Sequence, residues 1–257
     1  MKRKMIIDAH VHLPIGKDCN ILCRKREKLL QELARNYIDR CIVISDSCME
    51  SDIGNLNECV ELFRECANVN VVGGISPYFE FQSQLKKIKD YLEMNLIVGI
   101  KLYTGHEAFY LSDEKLKEVY ELAQQYDVPV LFHSGWDNCQ YSDANVVAAV
   151  ARQYPNLKLV CCHCFFPRID KCHLLVKYPN VYFDISSIAD NMAILNDKEE
   201  KIKKLIEVVP ERVLFGSDYS GCDQAEHIQF VKNLRLNKMV TEAILEKNAK
   251  YVFKINE

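Results

Sequence analysis

The chain reads as an α/β protein, a (β/α)8 TIM barrel built by residues 1–257 as a single domain. Two observations predict it. Eight short apolar, β-branched runs alternate with amphipathic stretches of helical period, and strands alternating with helices imply a parallel sheet that eight units close into a barrel. The length of 257 residues is also what such barrels use, typically about 250.

The elements follow in order. A strand at 4–8 leads to a helix at 24–37, and a strand at 40–45 to a helix at 55–67. In the second strand, Cys41-Ile42-Val43-Ile44 is a continuous apolar run suited to a strand covered on both faces. Strands at 70–75 and 97–102 precede helices at 81–93 and 113–126. In the latter, Leu116, Val119, Tyr120 and Ala123 form one stripe, Ser112 is the expected N-cap, and Asp113 and Glu114 suit the first turn. Strands at 129–133, 157–162, 180–185 and 212–216 are followed by helices at 142–153, 168–177, 197–208 and 223–234. A last helix at about 240–252 ends the pattern. An open doubly wound sheet is the alternative, but no Gly-x-Gly-x-x-Gly follows the first strand.

Composition narrows the function classes. The formal net charge is −3 and basic residues are dispersed, so no nucleic-acid footprint appears. Lys2-Arg3-Lys4 reads as a solvated N-terminus. The apolar run after it stops at Asp8, short of a secretory signal, and no run approaches the roughly 20 apolar residues of a membrane span. A cytoplasmic protein with a small-molecule substrate is expected, and a homodimer is the commonest closed assembly. The twelve cysteines are too few for a disulfide scaffold and read as reduced core thiols, including Cys161, Cys162 and Cys164 around His163. Cys48, Cys139 and Cys222 follow predicted strands and are expected near the site.

The residues that carry chemistry end strands. His10 and His12 stand two apart at the end of the first, so they share a face, with Asp8 one step deeper. His133 ends the fifth strand, His163 the sixth and Asp218 the eighth. At the C-terminal ends of barrel strands such residues read as catalytic. Neutral imidazoles with a carboxylate are the ligand set of open catalytic sites for zinc and related ions. Lys101 lies inside the fourth strand, where lysine is unusual. It suits a substrate carboxylate or, carbamylated, a bridge between two metals. His106, in the loop after that strand, is within reach of the site, whereas His173 and His227 read as surface residues on helices.

At these residues the chain resembles the amidohydrolase superfamily, in its amidohydrolase-related branch of decarboxylases and lactonases. The resemblance runs through Ile7-Asp8-Ala9-His10-Val11-His12, Gly99-Ile100-Lys101-Leu102-Tyr103, Pro129-Val130-Leu131-Phe132-His133-Ser134-Gly135, His163, Leu214-Phe215-Gly216-Ser217-Asp218 and the closing 246–253 segment. It implies that His10, His12, His133 and Asp218 hold one divalent metal, Zn2+ before Mn2+. It makes His163 a non-ligand acid/base or polarising group, and it puts Lys101 where other branches carry a carbamylated lysine in a binuclear site. The chain departs from the branch in having Cys164-Phe165-Phe166-Pro167 where small glycines are usual, and in being shorter than its decarboxylases.

The activity expected is metal-dependent hydrolysis of a lactone, amide or related bond, with the metal acidifying water and Asp218 as general base then acid. Lys101, Tyr103 and Arg168 are expected to orient an anionic substrate, with Trp136, Phe165 and Phe166 as an apolar wall. The alternative is decarboxylation of an aromatic or unsaturated acid. A partner-binding protein without activity is a third reading, poorly matched to a full ligand set. The loops at 13–21, 135–141 and 186–196 are expected to shape specificity.

Overall fold

The computed structural model describes residues 4–16, 19, 21–136, 140–190 and 194–255. Lys2, Arg3, Cys139 and parts of the loops at 13–21, 135–141 and 186–196 lie outside the described residues.

Eight parallel strands follow one another in chain order. They are β1 (Ile7–Val11), β2 (Arg40–Ile44), β3 (Val69–Gly74), β4 (Ile100–Leu102), β5 (Val130–Phe132), β6 (Leu159–Cys161), β7 (Val181–Asp184) and β8 (Val213–Leu214). Hydrogen bonds return the last to the first: Ala9 N–H donates to Phe215 O (2.8 Å) and Asp218 N–H to His10 O (2.8 Å). The result is the expected TIM barrel, and all eight strands deliver their last residues to one mouth.

Helices α1 (Leu22–Arg35), α2 (Leu56–Phe63), α3 (Phe81–Glu93), α4 (Lys117–Tyr126), α5 (Ala144–Gln153), α6 (Lys198–Val208) and α7 (Gln224–Asn233) alternate with the strands. Most of the core lies between them and the sheet, where Val43, Val71, Ile100, Phe132, Leu159 and Phe183 are buried. A second cluster fills the barrel interior and its lower end with Ile42, Val72, Leu131, Val160, Leu214 and Phe253. Alternate residues of one strand therefore serve the two cores, as period-two geometry requires.

Three elements differ from the sequence reading. The segment expected as a helix at 168–177 is a 3-10 helix at Ile169–Leu174. Its buried residues Ile169, Cys172 and Leu175 recur every three positions, which matches a 3-10 turn and not an α-helix. Asp113 replaces Ser112 as cap before α4, its side chain accepting from Lys115 N–H (2.9 Å), and a 3-10 turn opens the helix. The closing helix runs as α8 (Lys238–Glu242), a π-helical turn (Ala243–Lys247) and α9 (Asn248–Phe253).

The turn after β5 depends on Gly135. Its φ is +80°, and a Cβ there would fall 2.5 Å from both N and O of Phe166. Gly135→Ala is therefore expected to lower the unfolding free energy by about 2–3 kcal/mol. Urea denaturation of the metal-free protein measures it, and an unchanged midpoint would show that the β5 and β6 loops are not locked together.

Candidate metal centre

The strand ends surround a cavity of about 450 Å3 lined by His10, His12, Lys101, Tyr103, Gly105, His106, His133, Trp136, His163 and Asp218. Nearly every residue singled out from the sequence reaches it. Arg168 does not: it is exposed and outside this lining.

His10, His12 and Asp218 come closest together. His10 Nε2 and His12 Nε2 each lie 3.3 Å from Asp218 Oδ1 and 3.3 Å from one another. The ring hydrogens point elsewhere. His10 Nδ1 stands 2.6 Å from Asp184 Oδ2, and His12 Nδ1 stands 2.8 Å from the carbonyl of Ile44, which can only accept. Each imidazole thus donates through Nδ1 and turns an Nε2 lone pair inward. Two nitrogen lone pairs and a carboxylate oxygen then face one point with no hydrogen between them. Such a group of acceptors repels itself unless a cation sits at its centre. The residues fit a divalent metal, and the Asp184–His10 pair is the carboxylate–histidine support that metal sites use.

His133 lines the same cavity but is outside this close group, in which every ligand atom lies within 4.8 Å of the others. Its ring packs between His106 (centroids 4.2 Å) and His163 (4.9 Å). Burial first, then neighbouring His163 and His106, hold the His133 imidazole well below its ordinary value. Burial also lowers His10, and it takes His163 down to about 3. These rings are neutral at physiological pH, the state a ligand needs. Burial raises the Asp218 carboxyl, and the positive charge that His10, His12 and His163 would carry if protonated lowers it well below its ordinary range, the part a cation at this point would play with the rings neutral. Ser187 Oγ–H fixes the other carboxylate oxygen, Oδ2, at 2.5 Å.

Lys101 is 1% exposed and projects from β4 into the cavity. Its ammonium donates to Cys162 Sγ (3.1 Å) and stands 5.3 Å from the centre of the Tyr103 ring. Among the described residues no carboxylate pairs with it. Tyr103 O–H is occupied, donating to Ser45 O (2.8 Å), so its ring is what it offers. Trp136 gives the lining an apolar wall and packs at a tilt against Phe166 behind it, with centroids 4.7 Å apart, while neither Phe165 nor Phe166 lines the cavity itself.

Sequence reasoning missed Asp184, Ser186 and Ser187. Asp184 and Ser186 alternate at the end of β7 as Asp8, His10 and His12 do on β1, and that strand-end pattern was the available signal. The reading of His227 needs correction. It is 1% exposed, donating through Nδ1 to Asp223 O (2.8 Å) and accepting from Ala189 N–H at Nε2 (3.3 Å). The α7 face that carries it packs inward, against the loop that follows β7. Of the cysteines, Cys161, Cys162 and Cys164 are buried free thiols, as expected, and Cys222 lies 3.4 Å from Ser187 Oγ at the edge of the site.

The same architecture recurs in solved structures. An uncharacterised TIM-barrel protein of Bordetella bronchiseptica superposes with a TM-score of 0.79 at 18% identity, over 98% of this chain and 99% of that one. A candidate 2-pyrone-4,6-dicarboxylic acid hydrolase of Pseudomonas putida gives 0.73 at 15% identity, over all of both chains (100% each). A 5-carboxyvanillate decarboxylase of Novosphingobium aromaticivorans, complexed with manganese and 4-hydroxy-3-methoxy-5-nitrobenzoic acid, gives 0.73 at 13%, over 98% and 96%. None of the curated proteins matches the chain. The described helices include none long and apolar enough to cross a membrane. The family model described as Amidohydrolase matches residues 7–255, and with that match over nearly its whole length the chain belongs to the amidohydrolase family.

Proposed function

We propose that this protein is a metal-dependent hydrolase of small carboxylate-bearing substrates, attacking a carbonyl-type centre such as a lactone or amide. The observation that carries the reading is the convergence of His10 Nε2, His12 Nε2 and Asp218 Oδ1 at mutual distances of 3.3 Å with no hydrogen among them. These three would hold one divalent metal, with His133 as a further donor from across the cavity. The metal would supply a Lewis acid that polarises a substrate oxygen and acidifies water near neutral pH. Zinc suits this nitrogen and oxygen set, and manganese is the second choice.

The chain's own residues do the rest. Asp218, kept ionised, accepts a proton from water and returns it to the leaving group. Asp184 and Ile44 hold the two imidazoles in the tautomers that present Nε2. Lys101, a buried cation without a carboxylate partner among the described residues, binds the substrate carboxylate, because an ion in a low-dielectric site favours an opposite charge. Trp136 and the Tyr103 ring cover its apolar body.

Decarboxylation of an aromatic acid is the second reading. The likeness to a manganese-bound decarboxylase holding a substituted benzoic acid supports it, as does the anion-binding character of Lys101. The Trp136–Phe166 wall gives a flat ring a surface to stack on.

Elemental analysis of the purified protein is expected to find about one zinc or manganese ion per chain. His12→Ala or Asp218→Asn should lower metal affinity by more than about 100-fold. Full metal content in both variants would remove the basis of the proposal, and about two ions per chain would point to a carbamylated Lys101. Lys101→Met should raise KM for carboxylate substrates by about 10–100-fold, the worth of a charged hydrogen bond, and leave uncharged analogues unaffected. An equal effect on both would remove Lys101 from substrate binding. A panel of lactones, amides and aromatic acids separates the two readings: ring opening or amide cleavage supports hydrolysis, and CO2 release without it supports the alternative.

A further inference from the structure

Ser186 lies just past β7, wholly buried, and its hydroxyl sits among three polar atoms. Asp184 Oδ2 is 2.8 Å away, His163 Nδ1 2.9 Å and His10 Nδ1 3.1 Å. A hydroxyl has a single hydrogen to place. Asp184 Oδ2 is an acceptor that already takes the hydrogen on His10 Nδ1. The Ser186 hydrogen therefore goes to Asp184. That leaves the lone pairs of Oγ for His163 Nδ1.

A second atom demands the same arrangement. The backbone carbonyl of Ser186 is also 3.3 Å from His163 Nδ1. Two oxygen acceptors against one ring nitrogen are satisfied only if that nitrogen carries the hydrogen. The opposite tautomer would set the Nδ1 lone pair against a carbonyl and strip a donor from a buried carboxylate, and each costs free energy in a dry interior. On its opposite edge, His163 Nε2 has no hydrogen-bond partner among the described residues, and the ring lines the cavity.

We propose that Ser186 is a positioning residue that fixes His163 as its Nδ1–H tautomer, leaving Nε2 as a hydrogen acceptor toward the cavity. The inference rests on the reading of this cavity as the reaction site, and it narrows the chemistry available there. A neutral His163 in this tautomer can accept a hydrogen from water or from a substrate hydroxyl. It cannot donate one to a carbonyl oxygen, so the polarising role that the sequence allowed for His163 is replaced by that of an acceptor. Asp184 serves both rings, directly for His10 and through Ser186 for His163, so one carboxylate of β7 sets the tautomers of two histidines from β1 and β6.

The test is nitrogen-15 NMR of histidine-labelled, metal-free protein, with His163→Gln to assign the signals. His163 is expected to show a protonated Nδ1 and an unprotonated Nε2. Ser186→Ala should move the tautomer ratio toward Nε2–H by about fivefold, the worth of one neutral hydrogen bond, and Ser186→Thr, which keeps the hydroxyl, should restore it. A wild-type His163 carrying its hydrogen on Nε2 would overturn the proposal, as would a ratio untouched by Ser186→Ala in a folded variant. The spectra need neither metal nor substrate, so failure here is distinguishable from failure of the metal reading, which elemental analysis decides.

Discussion

The seam between the last strand and the first governs the position of the whole site. His10 and His12 come from one side of it and Asp218 from the other, and they must meet within 3.3 Å. The backbone makes part of the join, Asp218 N–H donating to His10 O and Ala9 N–H to Phe215 O. Asp8 makes the rest. Its carboxylate accepts from Ser217 N–H (2.9 Å), Ser217 Oγ–H (2.6 Å), Gln224 Nε2–H (3.0 Å) and His10 N–H (3.3 Å). Complete burial pushes this carboxyl up to about 7, and only the four hydrogen bonds keep it from rising further. Asp8 therefore ties β1 to the residue that precedes Asp218 and to the first turn of α7. A barrel open at this seam would still bury most of its apolar surface, but it would not bring the three candidate ligands together.

Beyond the strand ends the chain turns sharply, at Gly135 after β5 but also at residues that are not glycine. Trp136, His163, Cys164, Phe165, Ser187 and Asp218 all have positive φ, between 46° and 67°. Each such residue costs about 1–3 kcal/mol, and such conformations persist only where the surroundings over-determine them. Here the surroundings are identifiable. Phe165 and Cys164 are buried in the outer core, and Phe166 N–H donates to His163 O (2.9 Å). The same bend turns the His163 ring back over the mouth, which a strand continuing straight would carry past the cavity. The bulky residues after His163, where the resembled branch usually has small glycines, thus serve as the anchor of the bend and as the floor under Trp136.

Most of the fold and half of the site were legible in the chain. Period-two and period-3.6 patterns mark surfaces that must be buried, so eight strands and most of their helices followed from apolar spacing alone, with the largest departure at 169–174, where the spacing is three. His10, His12, His133, His163 and Asp218 were legible because a polar residue closing an apolar run has no reason to be there except chemistry. Asp184 and Ser186 were not, because serine and aspartate after a strand are also ordinary turn residues. What distinguishes them is a contact with His10 and His163 across 174 and 23 positions, which no local pattern encodes. Arg168 misled for the opposite reason. Its placement after strand six was right, but before the short 3-10 turn it is exposed and outside the cavity lining.

The electrostatics of the cavity follow from what surrounds Lys101. A buried lysine is ordinarily paired with a carboxylate, which would neutralise it. Here its hydrogen-bond partner among the described residues is the sulfur of Cys162, whose thiol burial pushes up to about 12 even with the lysine beside it. The thiol therefore stays neutral and gives the ammonium a hydrogen-bond acceptor without cancelling its charge. The strand-end carboxylates beside the histidines have other partners: Asp8 accepts from Ser217 and Gln224, Asp184 faces His10 and Ser186, and Asp218 accepts from Ser187. A cation left uncompensated on one side and a set of lone pairs awaiting a cation on the other divide a single cavity into two poles. On the proposed reading, a molecule that spans them carries an anionic end for Lys101 and an electron-rich oxygen at the other, the charge pattern of a small carboxylate with a second carbonyl or hydroxyl oxygen.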